Sequence, residues 1–252
     1  MRLLVINPNT TQAMTDEIGH AARAVAAPTT EIDCTSPTGG PRSIEGFADE
    51  TIAAYHTLET VARTQGQYDG YVIACFGDPG LYACREVSNV PVVGIAEAAM
   101  HTACLVAHRW SIVTVIPRVE PFIAEAVHRA GLWDKCASIR CTPLSVLEIE
   151  QDIERTKRLI VDYARMAIDE DGAEAILLGC AGLGPIDKVM QEALGVPVLD
   201  GVACAVTMIE GLHAYGLNTS KTKAFLTPEP KELVNCPDAL TAAYVRKQES
   251  DV

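Results

Sequence analysis

The chain has no cluster of basic residues, no long apolar run and no two cysteines spaced as Cys-x-x-Cys. Each absence excludes a class of function. Lysine and arginine total 20 against 33 aspartates and glutamates, a formal charge of −13. Neither nucleic acid nor an anionic membrane is therefore an expected partner. The apolar stretch from Leu3 to Ile6 gives way at once to Asn7-Pro8-Asn9, which is too short for a secretory leader. No segment approaches the roughly 18 apolar residues of a membrane span. The expected location is cytoplasmic. The nine cysteines are odd in number, and the tightest pair, Cys136 and Cys141, has no second pair to complete a zinc or redox site. Free thiols, most of them buried as small hydrophobes, fit that compartment. Low-complexity segments and flexible linkers are also missing.

What is present is a sequence that repeats itself. The segment Asp69-Gly-Tyr-Val-Ile-Ala-Cys75 runs from an apolar strand into the turn Phe76-Gly-Asp-Pro-Gly80. Ala173-Glu-Ala-Ile-Leu-Leu-Gly-Cys180 does the same 105 residues later, followed by Ala181-Gly-Leu-Gly-Pro185. Pro91 to Glu97 recurs as Pro197 to Ala203 at an offset of 106, and Leu3 to Pro8 matches Ile112 to Pro117 loosely at 109. Three landmarks in one order argue for two duplicated α/β halves facing each other.

The alternation within each half supports this. Strands are expected at Leu3–Ile6, Glu31–Cys34, Tyr71–Cys75 and Pro91–Ile95. Helices are expected after Thr10 or Thr11, over Ala48–Thr64 with Ile52, Tyr55, Leu58 and Val61 as its apolar residues, over Pro79–Val87 and over Glu97–His108. The order restarts at Ser111. Strands that alternate with helices and are continuously apolar imply mainly parallel sheets covered on both faces. The first half comprises residues 1–97 plus about 208–252, and the second residues 98–207. The last segment, from Asn218, is expected to wrap the surface and end in a helix and a frayed tail.

Cys75 and Cys180 each end an expected strand, and ligands of open α/β sheets bind beyond such ends. Asp78 has the chemistry of an N-cap, with Pro79 at the first helical position. In the second half, Gly182 and Gly184 supply the turn and Pro185 starts the helix. Each sulfur would then lie near a helix N-terminus, which lowers a thiol pKa from its usual value of about 8.5. A cleft with a thiol on each side can take a proton from one face of a carbon and return one to the other.

These residues resemble the aspartate/glutamate/hydantoin racemase superfamily, above all its hydantoin and allantoin racemases. The resemblance rests on Val5-Ile-Asn-Pro-Asn-Thr10, Ser43-Ile-Glu-Gly46, Val72 to Leu81, Val93 to His101, Ser111 to Thr114, Glu170 to Ala173, Leu178 to Gly182, Gly195 to Val198 and Thr219 to Lys221. It spans about nine tenths of the chain. It implies an α/β fold of two pseudo-symmetric halves, each a mainly parallel four-stranded sheet flanked by helices, with the active site in the cleft between them. It further implies racemisation without cofactor or metal, a small-molecule substrate and a homo-oligomer. By the same resemblance Cys75 and Cys180 are the catalytic pair. Asn9, Ser43, Ile44, Phe76, Gly77, Thr114, Ala181 and Gly182 are the substrate-binding residues. Amino-acid racemases of the superfamily carry more polar groups after the first cysteine, so Phe76 favours a neutral ring over a zwitterion. Decarboxylase relatives keep one cysteine of the two, whereas this chain has both.

The substrate expected is a cyclic ureide inverted at C5. Arg23 to Pro28, Gly94 to His101 and Asp200 to Val202 look closest to allantoin racemases, so allantoin is the first reading and 5-monosubstituted hydantoins the alternative. Behind these stand an amino-acid racemase and a non-catalytic ligand-binding protein. His101, Cys104 and His108 could share one helical face, but no carboxylate motif completes a metal site. Gly182-x-Gly184 lacks the third glycine of a dinucleotide loop.

Overall fold

The computed structural model describes residues 1–149 and 151–245, with Gly184 and Pro185 described by their backbone. Two four-stranded parallel sheets form the frame. The first contains β1 (Arg2–Ile6), β2 (Glu31–Thr35), β3 (Gly70–Ile73) and β4 (Val92–Gly94), in the order β2-β1-β3-β4. The second contains β5 (Trp110–Thr114), β6 (Cys136–Cys141), β7 (Ala175–Leu178) and β8 (Val198–Asp200), in the order β6-β5-β7-β8. The identical order and all-parallel pairing establish the duplication in three dimensions.

Register fixes the equivalences residue by residue. Ile6, Ile73 and Gly94 lie abreast in the first sheet, and Val113, Leu178 and Asp200 lie abreast in the second. The third- and fourth-strand offsets of 105 and 106 hold. The first-strand match at 109 does not: Ile6 corresponds to Val113, and Asn7 to Thr114. A slip of two residues keeps every side chain on its own face of the sheet, so an apolar run cannot betray it.

The helices are α1 (Gln12–Val25), α2 (Phe47–Arg63), α3 (Leu81–Val87), α4 (Ile95–Val106), α5 (Glu120–Arg129), α6 (Ile153–Asp169), α7 (Asp187–Leu194), α8 (Gly201–Ala214) and α9 (Asp238–Val245). Alternation along β1 and β3 divides the first sheet between two cores. Leu3, Val5 and Val72 join the main core with Met14 and Ile18 of α1 and Ile209 of α8. Leu4, Ile6, Tyr71 and Ile73 face Val61 of α2, Cys84 of α3 and Leu240 of α9. The main core continues through the second sheet. α4 and α8 pack on each other and cross between halves, α4 onto β7 and β8 and α8 onto β3 and β4. A Cβ on Gly70 of β3 would stand 2.6 Å from Ile209 of α8, so glycine there permits the close approach.

Several local expectations change. α2 forms where expected, but it buries Ala53, Thr57, Thr60 and Val61 while Ile52 and Tyr55 are exposed. Thr57 and Thr60 donate their hydroxyls to backbone carbonyls one turn back, which lets polar side chains enter the core. α4 ends at Val106, so His108 lies outside the helix that was to align it with His101 and Cys104. No group of three or more metal-ligating side chains is assembled among the described residues. The C-terminal segment packs against the end of α3 and the turn after it: Thr219 binds Asn89 and Val90, and Lys221 donates to the carbonyls of Arg85 and Glu86. The expected tail beyond residue 245 lies outside the described residues. Among those residues no helix is long and apolar enough to cross a membrane.

Candidate active site

The two cysteine turns are built alike. The last ladder bonds run from Ala74 N–H to Ile6 O and from Gly179 N–H to Val113 O. β3 and β7 therefore end two residues before their cysteines, not at them. Each cysteine carbonyl then accepts the N–H three residues on, Asp78 at 2.9 Å and Leu183 at 3.0 Å, which closes a tight turn at the carboxyl end of its sheet. Both side chains line a single cavity between the halves, shared with Asn9, Met14, Ile44, Phe76, Thr114, Val119, Phe122, Val146 and Ala181. The space open to the centres of water-sized groups is small, about 40 Å³.

Six of the eight expected binding residues need separate comment. Asn9 is buried, and its Oδ1 accepts from Asn7 Nδ2 and Thr11 N–H while its Nδ2 points to Met14 Sδ at 3.1 Å. Thr114 donates its hydroxyl to Gly179 O at 2.9 Å and so braces the Cys180 turn as well as lining the cavity. Ile44 lines the cavity, whereas Ser43 beside it does not. Gly77 and Gly182 are not part of its lining either. A Cβ on Gly77 would meet the Phe122 ring at 2.9 Å, and one on Gly182 would lie 3.9 Å from Cys180 Sγ. Phe76 and Ala181 both face the cavity.

The loop that carries Ile44 is held by Thr10 and Thr11. Their hydroxyls donate to Pro41 O and Arg42 O, so Thr11 occupies the N-cap position of α1 without capping it. From the second half, Val146 N–H donates to Glu45 Oε1 at 3.0 Å. This bond joins the two loops over the cavity. The walls Met14, Val119, Phe122, Ile123 and Val146 were not anticipated. They come from helices and turns whose apolar residues carry no motif.

The helix starts differ from expectation as well. α3 begins at Leu81, with Gly80 at its N-cap in the left-handed region at φ 76°. Neither Asp78 nor Pro79 starts it, because Asp78 turns its carboxyl to the first turn of α4 and accepts from Ala96 N–H at 3.0 Å and Glu97 N–H at 2.9 Å. In the second half a 3-10 turn covers Ala181–Ile186 and α7 follows at Asp187, so Pro185 lies within the turn. Cys75 thus has a turn between itself and the nearest helix. Burial pushes its thiol up to about 12, with the Gly77 N–H acting against that and the neighbouring Cys180, Asp78 and Glu50 adding to it. The lowered value expected from a helix terminus is not found.

Behind the Cys75 turn lies a charged cluster. Arg129 of α5 donates to Gly77 O at 2.7 Å, and Arg85 of α3 pairs with Glu97 of α4. Burial raises the carboxyl of Glu50, partly offset by Arg129. Two thiols that line one apolar cavity from matching turns of the two halves can exchange protons with a small bound molecule.

Comparison with known proteins accords with this geometry. Residues 3–209 match the family described as Asp/Glu/Hydantoin racemase. The chain is 43% identical to the hydantoin racemase of Pseudomonas sp. (strain NS671), over 93% of this chain and 94% of that one. It superposes on the allantoin racemase of Klebsiella pneumoniae with a TM-score of 0.91 and 47% identity, covering 93% of this chain and 96% of that one. The allantoin racemase of Pseudomonas fluorescens gives a TM-score of 0.91 at 42% identity, covering 93% and 100%.

Proposed function

The chain belongs to the Asp/Glu/hydantoin racemase family and is an isomerase, a racemase, and we propose that it inverts C5 of a cyclic ureide with Cys75 and Cys180 as the acid–base pair. The observation that carries this reading is the single cavity walled by both sulfurs from matching turns of the two halves. C5–H of such a ring lies beside a carbonyl, so its loss places charge on oxygen. One cysteine as thiolate takes that proton and becomes a thiol. The other, as thiol, gives its proton to the opposite face and becomes the thiolate. For the opposite enantiomer the roles exchange. Asn9 Nδ2 rests against a thioether, a weak acceptor, and a ring carbonyl that displaced it would gain a stronger hydrogen bond.

Allantoin is the preferred substrate on this reading, for the likeness of Arg23 to Pro28, Gly94 to His101 and Asp200 to Val202 to allantoin racemases. A second reading, hydantoins with an apolar arm, is favoured by the walls Met14, Ile44, Val119, Phe122 and Val146. No cofactor takes part in the mechanism. Nine free thiols fit a reducing compartment, in keeping with a cytoplasmic enzyme. The test is polarimetry on single enantiomers of allantoin and of 5-benzylhydantoin, corrected for unaided racemisation. Enzyme-dependent loss of rotation is expected with both, faster with allantoin. No acceleration of either compound would refute the ureide assignment.

A further inference from the structure

At the starts of α4 and α8 the duplication is broken in one informative way. Gly94 and Asp200 are equivalent in register, and both occupy the N-cap position of the helix that follows. Asp200 caps its own helix, accepting from Val202 and Ala203 N–H. Gly94 has no side chain to do so. The matching amides, Ala96 and Glu97 N–H, are instead satisfied by Asp78, which reaches over from the Cys75 turn. A Cβ placed on Gly94 would lie 2.1 Å from Asp78 Cγ, so the carboxyl fills the space of the missing side chain. In the second half the residue matching Asp78 is Leu183, three places after Cys180, and it has no such role.

The transposition ties the Cys75 turn to a second element. Asp78 adopts φ 52°, a left-handed conformation that a non-glycine residue keeps when its surroundings hold it there. Its side chain is buried, and its own N–H closes the turn on Cys75 O. One residue therefore fixes the turn by its backbone and fastens it to α4 by its carboxyl.

We propose that Asp78 is a positioning residue for Cys75, clamping the cysteine turn against the N-terminus of α4 so that the sulfur keeps its reach to C5. This rests on Cys75 acting as acid and base. The two roles of Asp78, helix cap and clamp, separate in a transposed variant. Asp78→Gly removes the carboxyl while glycine accepts the left-handed backbone, and Gly94→Asp returns a carboxyl to the place that Asp200 occupies in the second half.

The experiment measures thermal midpoint, kcat and KM for ureide racemisation in Asp78→Gly, in the double variant and in Cys75→Ser. Asp78→Gly is expected to lower both the midpoint and kcat. The double variant is expected to regain most of the lost midpoint, with kcat still about 10- to 100-fold below wild type and KM within about threefold. Recovery of wild-type kcat by the double variant would make Asp78 a helix cap alone and overturn the proposal. Should the double variant not fold, Asp78→Gly decides: it removes both acceptors and tolerates the backbone, so undiminished kcat there overturns the clamp. Turnover retained in Cys75→Ser would instead refute the role of Cys75 and leave the clamp without a function.

Discussion

The cysteine turn of the first half is braced by charged side chains, and that of the second half by a hydroxyl. Behind Cys75 stand Asp78 on the α4 amides, Arg129 on Gly77 O, and Glu50. Behind Cys180 stands Thr114 on Gly179 O, with a Cβ at Gly179 already 2.6 Å from Thr114 Cβ. The strands, their order and the cysteine turns were kept through duplication, while the supports diverged. A pair of like groups thus need not be chemically equal. The equilibrium constant of a racemisation is one, so kcat/KM must match in the two directions. Unequal supports allow kcat and KM to differ separately.

The largest effect expected is from Cys75→Ser and Cys180→Ser. Each should lower racemisation by about 10³-fold or more, a loss typical of a removed general acid–base group. If either variant kept activity near wild type, the pairing of the two halves would fail. Progress curves from each pure enantiomer check this.

Gly94→Ala comes next. Its Cβ would strike the Asp78 carboxyl, and overpacking of a fixed buried group costs about 1–3 kcal/mol. Urea unfolding should show that loss together with reduced activity. Asp200→Ala removes a local cap in the other half and should cost about 1 kcal/mol. A larger fall in kcat for Asp200→Ala than for Gly94→Ala would reverse the contrast drawn between the halves.

A further effect falls on the pH dependence of stability. Burial raises the carboxyl of Asp78 to about 7 and that of Asp200 to about 6, against the amides that favour their charge. Each group holds its proton more tightly when folded. The stability it contributes is complete below its ordinary value near 4 and is lost as pH rises through the folded value. Relative to Asp78→Asn, the wild type should therefore lose stability between about pH 4 and 7. Relative to Asp200→Asn, the loss should be finished about one unit lower. Urea midpoints from pH 4 to 8 would reveal this, and gaps that stay constant with pH would contradict it.

Much of this was legible in the chain. Strand and helix alternation and the repeated cysteine turns pointed to duplicated α/β halves, because each of these signals is local. What was missed depends on contacts between distant segments. Asp78 carries every local mark of a cap for α3, yet its carboxyl bonds to amides 18 and 19 residues away. Thr11 stands at the start of α1 but turns its hydroxyl to Arg42 O, 31 residues on. The face of α2 was misread because Thr57 and Thr60 hide their hydroxyls within the helix, while the larger Ile52 and Tyr55 stay outside. The apolar walls Met14, Phe122 and Val146 meet only when the halves close, so no spacing in the sequence announces them.

The most direct test of the two-thiol account is early deuterium uptake in D2O, starting from one pure enantiomer and separating the two enantiomers before analysis. Transfer between opposite faces by distinct groups puts solvent deuterium at C5 of the product enantiomer, while recovered starting material keeps its C5–H. Deuterium entering the recovered starting enantiomer as fast as product forms would point to one base working both faces and contradict the account.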